Sequence, residues 1–568
     1  MPGDETIKKP LPVGIEFFDE IIEKNYYYVD KSLFLKELID NRPKVGLFLR
    51  PRRFGKTLAL SMVKCFFEDT RDDAQNAARR KLFDGLKISA AGERYTREMT
   101  SYPVISLTLK SAKQPTFEMA MDRIRDIIAR EYEHHGYVQD YLIRDSDRER
   151  FDNILNLKET GLTTFNASLE FLSECINKAT GKKTIILIDE YDVPLDAAYL
   201  NGYYDRMIDF IRSLFESGLK TNENLEFAVV TGCLRVSQES IFTGMNNLDV
   251  YTLLNTEYSE NYGFTQDEVD VMLRYYDIEK RRGDVKNWYD GYRVGKSDVY
   301  NPWSAIKCMK SLSADIDTVL QPYWANTSSN DIVRRLVDAS NDDMRAEMEA
   351  LMSGGTIEKP ISESVTYRDL ESGKDSFWSF MFFTGYLTLV SGRQVGSKAL
   401  YTLRIPNIEV ESIYENSVQS WFDETLKARD LSPLYDALKS GDAEALSEEL
   451  SAMLLETISY HDYDESFYHG FMAGILKGMP HYTVKSNREA GLGRPDMELR
   501  PIRFGDPYII LEFKHTKRRS EAASCMADAL AQIASRKYAQ AAEADGYDKA
   551  ICYGIGFWKK QAIAGVAT

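Results

Sequence analysis

Residues 45–57 form the stretch VGLFLRPRRFGKT, an apolar run followed by a basic turn that ends in Gly55-Lys56-Thr57. An apolar run, a loop and a second apolar segment with helical spacing predict a buried strand, a tight turn and a helix. This is the usual setting of a phosphate-binding loop, where backbone N–H groups at a helix N-terminus bind an anion. Such a loop also needs a lysine for the outer phosphates and a hydroxyl for Mg²⁺, and Lys56 and Thr57 supply them.

The match to the Walker A pattern G-x-x-x-x-G-K-[ST] is incomplete, because Arg50 stands where the first glycine is usual. The strand before the loop and the helix after it still favour a nucleotide site. Arg52 and Arg53 each have two possible roles. Either the side chain contacts phosphate, or it simply covers the surface of the loop. The residues that we expect to bind nucleotide are Arg53, Phe54, Gly55, Lys56 and Thr57, the last also as a metal ligand.

A second apolar run, 183–188, ends in Asp189 and Glu190, the Walker B pattern. Because open α/β sheets bind ligands at the carboxyl ends of their strands, we expect Asp189 to hold Mg²⁺ through water. Glu190 would orient and deprotonate the attacking water. Thr231, which ends the next apolar run at 227–230, is placed to sense the γ-phosphate. The alternative for each motif alone is a buried strand that ends in an exposed turn.

The strands alternate with helical segments, which predicts an α/β multidomain protein with a parallel P-loop NTPase sheet. A chain of 568 residues is too long for one core and should divide into three or four domains. We predict the nucleotide-binding domain at 1–255 and a mostly helical lid and connecting module at 256–405. A helical connector and a C-terminal α/β domain follow at 406–568.

Composition limits the classes of function. The net charge of −17 argues against polyanion binding over the whole surface, although a local basic groove remains compatible with it. Six scattered cysteines indicate neither a disulfide framework nor a zinc site. Without a signal core or an apolar run of ~20 residues, the sequence predicts a cytoplasmic protein with no membrane span.

Near the C-terminus, Asp496 precedes the tripeptide Glu512-Phe513-Lys514 at a distance that fits the two strands and the turn of a β-hairpin. Residues i and i+2 of a strand share a face, so Glu512 and Lys514 should project together while Phe513 enters the core. Asp496 would join them from the preceding strand, with the turn near 504–506. Two carboxylates beside a lysine suit metal-dependent hydrolysis of a phosphodiester. The alternative is an exposed Glu–Lys pair on an edge strand.

The chain resembles bacterial proteins that join an N-terminal AAA-ATPase-like domain to a C-terminal PD-(D/E)XK nuclease-superfamily domain. The strings that carry the resemblance are YVDK at 28–31, RPRRFGKT at 50–57, DEYD at 189–192, NNL at 246–248, SFYHG at 466–470, SNRE at 486–489, GRPD at 493–496 and EFK at 512–514. In that family the form RPRRFGK is usual, so Arg50 is no defect. The resemblance also implies a restriction-endonuclease-like fold for the C-terminal domain.

The same resemblance implies roles for the C-terminal residues. Asp496, Glu512 and the main-chain carbonyl of Phe513 would hold the metal, and Lys514 would be the catalytic lysine. An acid on the first helix of such domains sometimes completes the site, and Glu465 is the candidate here.

Together the two sites predict an ATP-binding and ATP-hydrolysing protein coupled to a nuclease that uses Mg²⁺ or Mn²⁺. Its target would be nucleic acid, with DNA favoured over RNA, and its catalytic residues would be Glu190, Asp496, Glu512 and Lys514. The alternative is a nucleotide-switched signalling or scaffold NTPase whose nuclease-like domain only binds. AAA-like relatives often assemble into rings, so a homo-oligomer is a further expectation.

Overall fold

The computed structural model describes residues 8–158, 161–235, 241–242, 245–324, 342–352, 354–364, 374–414, 430–456, 465–486, 495–503, 505–516, 518–536, 547 and 549–567. Its contacts divide the chain into two compact units. The first consists of residues 1–337 and 356–412, and the second of residues 338–355 and 413–568.

The first unit is built around a five-stranded parallel sheet. Its strands are β1 Val45–Leu49, β2 Val104–Thr108, β3 Thr184–Asp189, β4 Leu225–Gly232 and β5 Leu248–Tyr251. They lie in the order β2-β3-β4-β1-β5, and every neighbouring pair is parallel. All residues of β1 and β3 are buried, as expected of parallel strands covered on both faces. The predicted α/β fold with a parallel sheet is confirmed.

Eleven α-helices lie before, between or after these strands in the described part of residues 8–215. They are α1 Phe18–Glu23, α2 Leu33–Asn41, α3 Lys56–Phe67, α4 Asp73–Lys81, α5 Glu93–Thr96, α6 Phe117–His134, α7 Asp145–Leu155, α8 Leu162–Asn166, α9 Ser168–Thr180, α10 Val193–Asn201 and α11 Tyr204–Phe215. Met62, Val63 and Phe66 of α3 share one apolar core with Ile185 and Leu187 of β3. This packing fixes the start of α3 at the carboxyl end of the sheet.

Residues 258–405 contain more strand than the mostly helical prediction. The helices in this range are α12 Gln266–Tyr275, α13 Arg282–Tyr289, α14 Pro302–Ala314, α15 Asp342–Met352 (part of the second unit) and α16 Lys374–Phe383. The strands are β6 Phe264–Thr265, β7 Tyr292–Val294, β8 Ser297–Tyr300, β9 Ile357–Pro360, β10 Thr388–Val395 and β11 Lys398–Arg404. They form two antiparallel sheets, β6-β8-β7 and β10-β11-β9.

The prediction missed these strands for two physical reasons. Strands β6 to β9 have only two to four residues each, too few to establish a period of two. Strand β10 is exposed along most of its length, so it has no apolar face to alternate with a polar one.

The second unit holds a mixed five-stranded sheet. Its strands are β12 Tyr482–Ser486, β13 Met497–Pro501, β14 Tyr508–His515, β15 Ala550–Trp558 and β16 Gln561–Val566, in sequential order. Only the pair β14–β15 is parallel. Its remaining helices are α17 Ser432–Ser440, α18 Ala443–Glu456, α19 Glu465–Leu476 and α20 Ala522–Arg536.

Helix α20 makes the crossover between the two parallel strands and lies very close to β15. A Cβ atom at Gly556 would be 2.2 Å from the carbonyl oxygen of Ala522, so only glycine permits this approach. The close contact sets α20 beside β14, where the predicted carboxylate–lysine site lies.

In the part of the chain that the structure describes, none of the helices has the length and hydropathy that crossing a bilayer requires. All six cysteines are free thiols.

Candidate functional site

The turn between β1 and α3 places a basic loop at the carboxyl end of the first sheet. Gly55 has a φ of 83°, in the left-handed region that favours glycine, and α3 begins at the next residue, Lys56. The N–H groups in the first turn of a helix have no partners within the helix, so they can bind an anion. The backbone therefore has the form of a phosphate-binding loop.

Lys56 is buried, and its ammonium group is held inside this loop. Its Nζ donates to the carbonyl oxygens of Arg50 at 2.9 Å and Pro51 at 3.1 Å, and it lies 3.4 Å from Cys233 Sγ. Burial opposes the charge, but Cys233 and nearby acids, Glu190 first among them, raise the pKa of Lys56 above its ordinary value. The lysine is therefore fully charged where phosphate would bind.

Asp189, the last residue of β3, connects the two motifs that the sequence predicts to bind nucleotide. Thr57 Oγ1 donates to Oδ2 of Asp189 at 2.7 Å, and Thr231 Oγ1 donates to Oδ1 at 2.6 Å. Asp189 is 3% exposed and Thr231 is fully buried. Because β4 lies between β3 and β1, the sheet itself brings these three residues together. The side-chain oxygens of Thr57 and Asp189 are close enough to act as ligands of one cation.

Glu190 lies beside a cavity of about 300 Å³ that Lys56 and Thr57 also line. Its φ is 51°, in the left-handed region, and its backbone N–H donates to Thr231 Oγ1 at 3.3 Å. Burial raises the pKa of the Glu190 carboxyl. An acid with a raised pKa at the wall of a cavity is well placed for proton transfer.

Arg50 does not belong to the basic cluster that the sequence suggests around the loop. Its side chain is fully buried and donates to four carbonyl oxygens, those of Leu49, Tyr251, Thr252 and Tyr258, at 2.9 to 3.1 Å. Burial lowers the pKa of Arg50 to about 10, so it stays charged at neutral pH. The arginine that replaces the first glycine therefore ties the loop to the end of β5.

The side chains of Arg53 and Phe54 also turn to protein neighbours. The Arg53 guanidinium lies 4.4 Å from the ring centre of Trp303, and Phe54 packs edge-on against Tyr292 with 5.1 Å between ring centres. Phe54 is 1% exposed. At Phe54 only the backbone is suited to bind phosphate, whereas Arg53 also lines the cavity with its side chain.

Among the cavity residues that the sequence did not predict are Asp196 and Trp303. Asp196 lies on α10, has a side chain that is 3% exposed, and accepts a hydrogen bond from Arg52 Nη2 at 3.0 Å. Trp303 stands in the aromatic string 300–303, so a signal for it existed. Asp196 has no local feature that separates it from other acids of the chain.

A second cluster forms where β13 and β14 pair. Met497 lies opposite Leu511 in the antiparallel register, which sets Asp496 across from Glu512. Asp496 Oδ2 accepts the backbone N–H of Phe513 at 2.7 Å. Phe513 is 1% exposed, so its side chain enters the core as the strand period predicts.

Glu512 and Lys514 share the opposite face. Lys514 Nζ lies 4.0 Å from Glu512 Oε1, and Gln532 Nε2 on α20 donates to the same oxygen. Glu512 is 1% exposed, and its Oε2 has no hydrogen-bond partner among the described residues. Burial, together with the charge of Asp496, raises the pKa of Glu512 to about 7.

These donors fit a divalent cation. Two carboxylates and the main-chain carbonyl of Phe513 are the oxygen ligands that Mg²⁺ and Mn²⁺ prefer. A cation would also relieve the repulsion between Asp496 and Glu512 and supply the partner that Glu512 Oε2 lacks. Within the described ranges, no three His, Cys, Asp or Glu side chains come together as a metal site. The carbonyl of Phe513 is the third protein ligand that the family resemblance implies.

Residues 487–494, which hold most of SNRE and the start of GRPD, lie outside the described residues, as does Phe504 of the predicted turn. The backbone of Glu465 begins α19, but its side chain is not among those described.

Comparison with known proteins gives a family for each of two regions of the chain. Residues 12–242 match the family model of predicted AAA-ATPases, and residues 463–565 match that of the PD-(D/E)XK nuclease superfamily. A curated relative, the uncharacterized protein in the vnfD 5′ region of Azotobacter chroococcum mcd 1, is 26% identical over 518 residues, which cover 89% of each chain. No solved structure matches the chain.

The protein thus combines an AAA-ATPase-like domain in its N-terminal part with a PD-(D/E)XK nuclease-superfamily domain at its C-terminal end. The resemblance found in the sequence is confirmed.

Proposed function

We propose that this protein binds and hydrolyses ATP and that its C-terminal domain is a metal-dependent nuclease, with DNA as a better substrate than RNA. The observation that carries the proposal is the hydrogen bond of 2.7 Å between Thr57 and Asp189, which unites motifs 132 residues apart. If each motif were only a buried strand that ends in an exposed turn, there would be no reason for a hydroxyl and a buried carboxylate to meet where a cation could bind.

Lys56, Thr57 and Asp189 would bind the phosphates and their Mg²⁺, and Glu190 would accept a proton from the attacking water. A smaller cavity of about 80 Å³ supports a site for the base. It shares Pro12, Ile21, Gly55, Leu58, Pro302 and Ile306 with the larger cavity. Tyr27 and Tyr28 add aromatic surface to it, which suits a flat purine ring.

At the second site, Asp496, Glu512 and the carbonyl of Phe513 would hold Mg²⁺ or Mn²⁺. When bound, the metal would polarise the scissile phosphodiester and lower the pKa of the attacking water. Lys514 would position that water or neutralise the charge that develops on the phosphate. Exposed Arg518 and Arg519, close after the site in sequence, would contact the nucleic-acid backbone.

A nucleotide-switched scaffold, in which the C-terminal domain only binds, is the second candidate. The net charge of −17 favours it, because that charge repels nucleic acid outside local basic surface. The free thiols support a further proposal, that the protein works in a reducing cytoplasm. We also propose that the domain boundaries lie near residues 255 and 405.

Metal-dependent cleavage tests the proposal. The full chain would be incubated with labelled double-stranded DNA, single-stranded DNA and RNA, in Mg²⁺ or Mn²⁺, with and without ATP. We expect cleavage that Lys514→Ala abolishes and that ATP changes, and we expect Lys56→Ala to remove the effect of ATP. Cleavage that survives Lys514→Ala in a clean preparation would contradict the nuclease assignment. ATP binding without any cleavage would favour the scaffold.

A further inference from the structure

Arg52 is the third residue of the phosphate-binding loop, and its guanidinium faces the same cavity as Lys56 and Glu190. Its side chain is 35% exposed, unlike that of Arg50, which is fully buried on carbonyl oxygens. It also differs from Arg53, which lies over the ring of Trp303. Arg52 and Arg53 both line the cavity, and Arg52 is the one whose guanidinium is held by a buried carboxylate.

The partner of Arg52 is Asp196, at 3.0 Å between Nη2 and Oδ2. Asp196 is 3% exposed, and its second oxygen, Oδ1, has no hydrogen-bond partner among the described residues. Burial raises the pKa of Asp196, while Arg52 and then Lys113 oppose that rise. A buried carboxylate with one free oxygen depends strongly on the arginine beside it.

The ion pair of Arg52 and Asp196 therefore lies at the wall of the nucleotide cavity. Lys110 and Lys113 line that cavity as well, so the positive charge around it does not come from the loop alone. The charge of a terminal phosphate bound at Lys56 would compete with Asp196 for the guanidinium. A planar guanidinium can bind phosphate in a bidentate manner, as it binds a carboxylate.

We propose that Arg52 leaves Asp196 to bind the γ-phosphate of ATP and acts as an arginine finger supplied by the same chain. This inference rests on the proposed ATPase function. During hydrolysis, the water oxygen forms a bond to the γ-phosphorus and the bond to the β-phosphate oxygen breaks, with the water proton passing to Glu190. Arg52 forms no covalent bond in this step and neutralises the charge on the γ-phosphate oxygens. Asp196 stores the guanidinium when the γ-phosphate is absent.

The test compares ATP with ADP, because only ATP has the group that Arg52 would bind. Affinities for both nucleotides with Mg²⁺, and single-turnover hydrolysis, would be measured for the full chain and for Arg52→Ala, Arg52→Lys and Asp196→Asn. Arg206→Ala serves as the matched control, since Arg206 forms an exposed ion pair with Glu118.

For Arg52→Ala we expect hydrolysis to fall by roughly 10²- to 10³-fold and the preference for ATP over ADP to fall by about tenfold. ADP affinity should stay within about threefold, and Arg52→Lys should recover part of the loss. Asp196→Asn should increase the preference for ATP, because it removes the competing carboxylate while keeping the shape of the side chain.

Equal weakening of ATP and ADP by Arg52→Ala, or an unchanged preference in Asp196→Asn, would overturn the role of Arg52. The Asp196→Asn measurement decides the question even if Arg52→Ala fails to fold. A wild-type chain that binds neither nucleotide would instead overturn the proposed ATPase function itself.

Discussion

Asp189 and Glu512 are both buried carboxylates of central strands, yet their surroundings differ. Each oxygen of Asp189 accepts a threonine hydroxyl, at 2.6 and 2.7 Å. Glu512 has Gln532 and Lys514 at one oxygen and no partner at the other among the described residues. Its neighbour Asp496 adds a second negative charge.

This difference bears on when each site is assembled. The protein itself satisfies Asp189, so the first site is organised before any ligand binds. Burial and Asp496 raise the pKa of Glu512 to about 7, and the carboxylate form there still lacks a full set of partners. We infer that the second site is completed by its cation. Four substitutions test how far the hydrogen-bond and charged partners of a buried acid determine its contribution to activity or stability.

The largest effect should come from Glu512→Gln. Loss of a charged metal ligand should reduce cleavage by ~10³-fold or more. Because the proposed cation needs that charge, added Mg²⁺ should raise the melting temperature of the wild type but not of the variant. Calorimetry with and without Mg²⁺ would measure this, with Glu498→Gln, in a partly buried pair with Arg500, as the control. Equal Mg²⁺ stabilisation of both would refute the site.

Glu409 is an intermediate case, because one of its oxygens is well supplied with partners and the other has none. Oε1 accepts bonds from Ser304 Oγ and from the backbone N–H groups of Tyr323 and Trp324, at 2.7 to 3.0 Å. Oε2 has no partner among the described residues. Burial raises the pKa of this fully buried acid to about 7.

Since the folded pKa exceeds the unfolded one, the folded chain holds its proton more tightly and wild-type stability falls as pH rises from ~4.3 towards about 7. Glu409→Gln keeps the acceptor oxygen and removes the titration. At pH 8 we expect it to be more stable than the wild type by roughly 1–3 kcal/mol, a gain that disappears at pH 4. Melting curves at both pH values would show this. The same stability difference between variant and wild type at both pH values would contradict a titrating Glu409.

Thr231→Val would make Asp189 resemble Glu512, because it removes the hydroxyl from one carboxylate oxygen with little change of shape. We expect a loss of about 1–3 kcal/mol in the stability of the first unit, the cost of a buried acceptor left without a donor. Thr231→Ser retains the hydroxyl and should lose clearly less. Urea unfolding of the three chains would compare them, and equal losses for Val and Ser would point to packing instead.

The smallest effect should come from His134→Gln. Glu68 is buried but has two partners, since Arg79 contacts Oε2 and His134 Nε2 lies 2.8 Å from Oε1. Burial raises the pKa of Glu68, but His134 and then the charges of Lys64 and Arg79 outweigh it and lower the pKa to about 2.

The hydrogen bond to Glu68 raises the pKa of His134, so its contribution is complete below pH ~6.5 and is lost as pH rises through the folded value. Because the ring is 45% exposed and Arg79 remains, the substitution should cost only ~0.5–1 kcal/mol at pH 6. At pH 9 the cost should vanish. A cost that does not change between these pH values would show that packing, not charge, holds the imidazole.

Most of the first sheet could be predicted from local sequence. Parallel strands covered on both faces are continuous apolar runs, and the runs at 45–49, 183–188 and 227–230 coincide with β1, β3 and β4 apart from residue 183. The second site was predictable to a similar degree, because a strand period of two alone sends Phe513 inward and Glu512 with Lys514 to the other face. These features depend only on near neighbours in the chain.

From the amino-acid sequence one can read which segments are strands, which acids follow them and which family patterns they match. The fold is needed to show that Arg50 turns inward to the carbonyls of residues 251, 252 and 258, and that Arg52 pairs with Asp196. Those contacts join residues 144 to 208 positions apart. Their formation depends on the order of strands in the sheet, and no local pattern of polarity encodes that order.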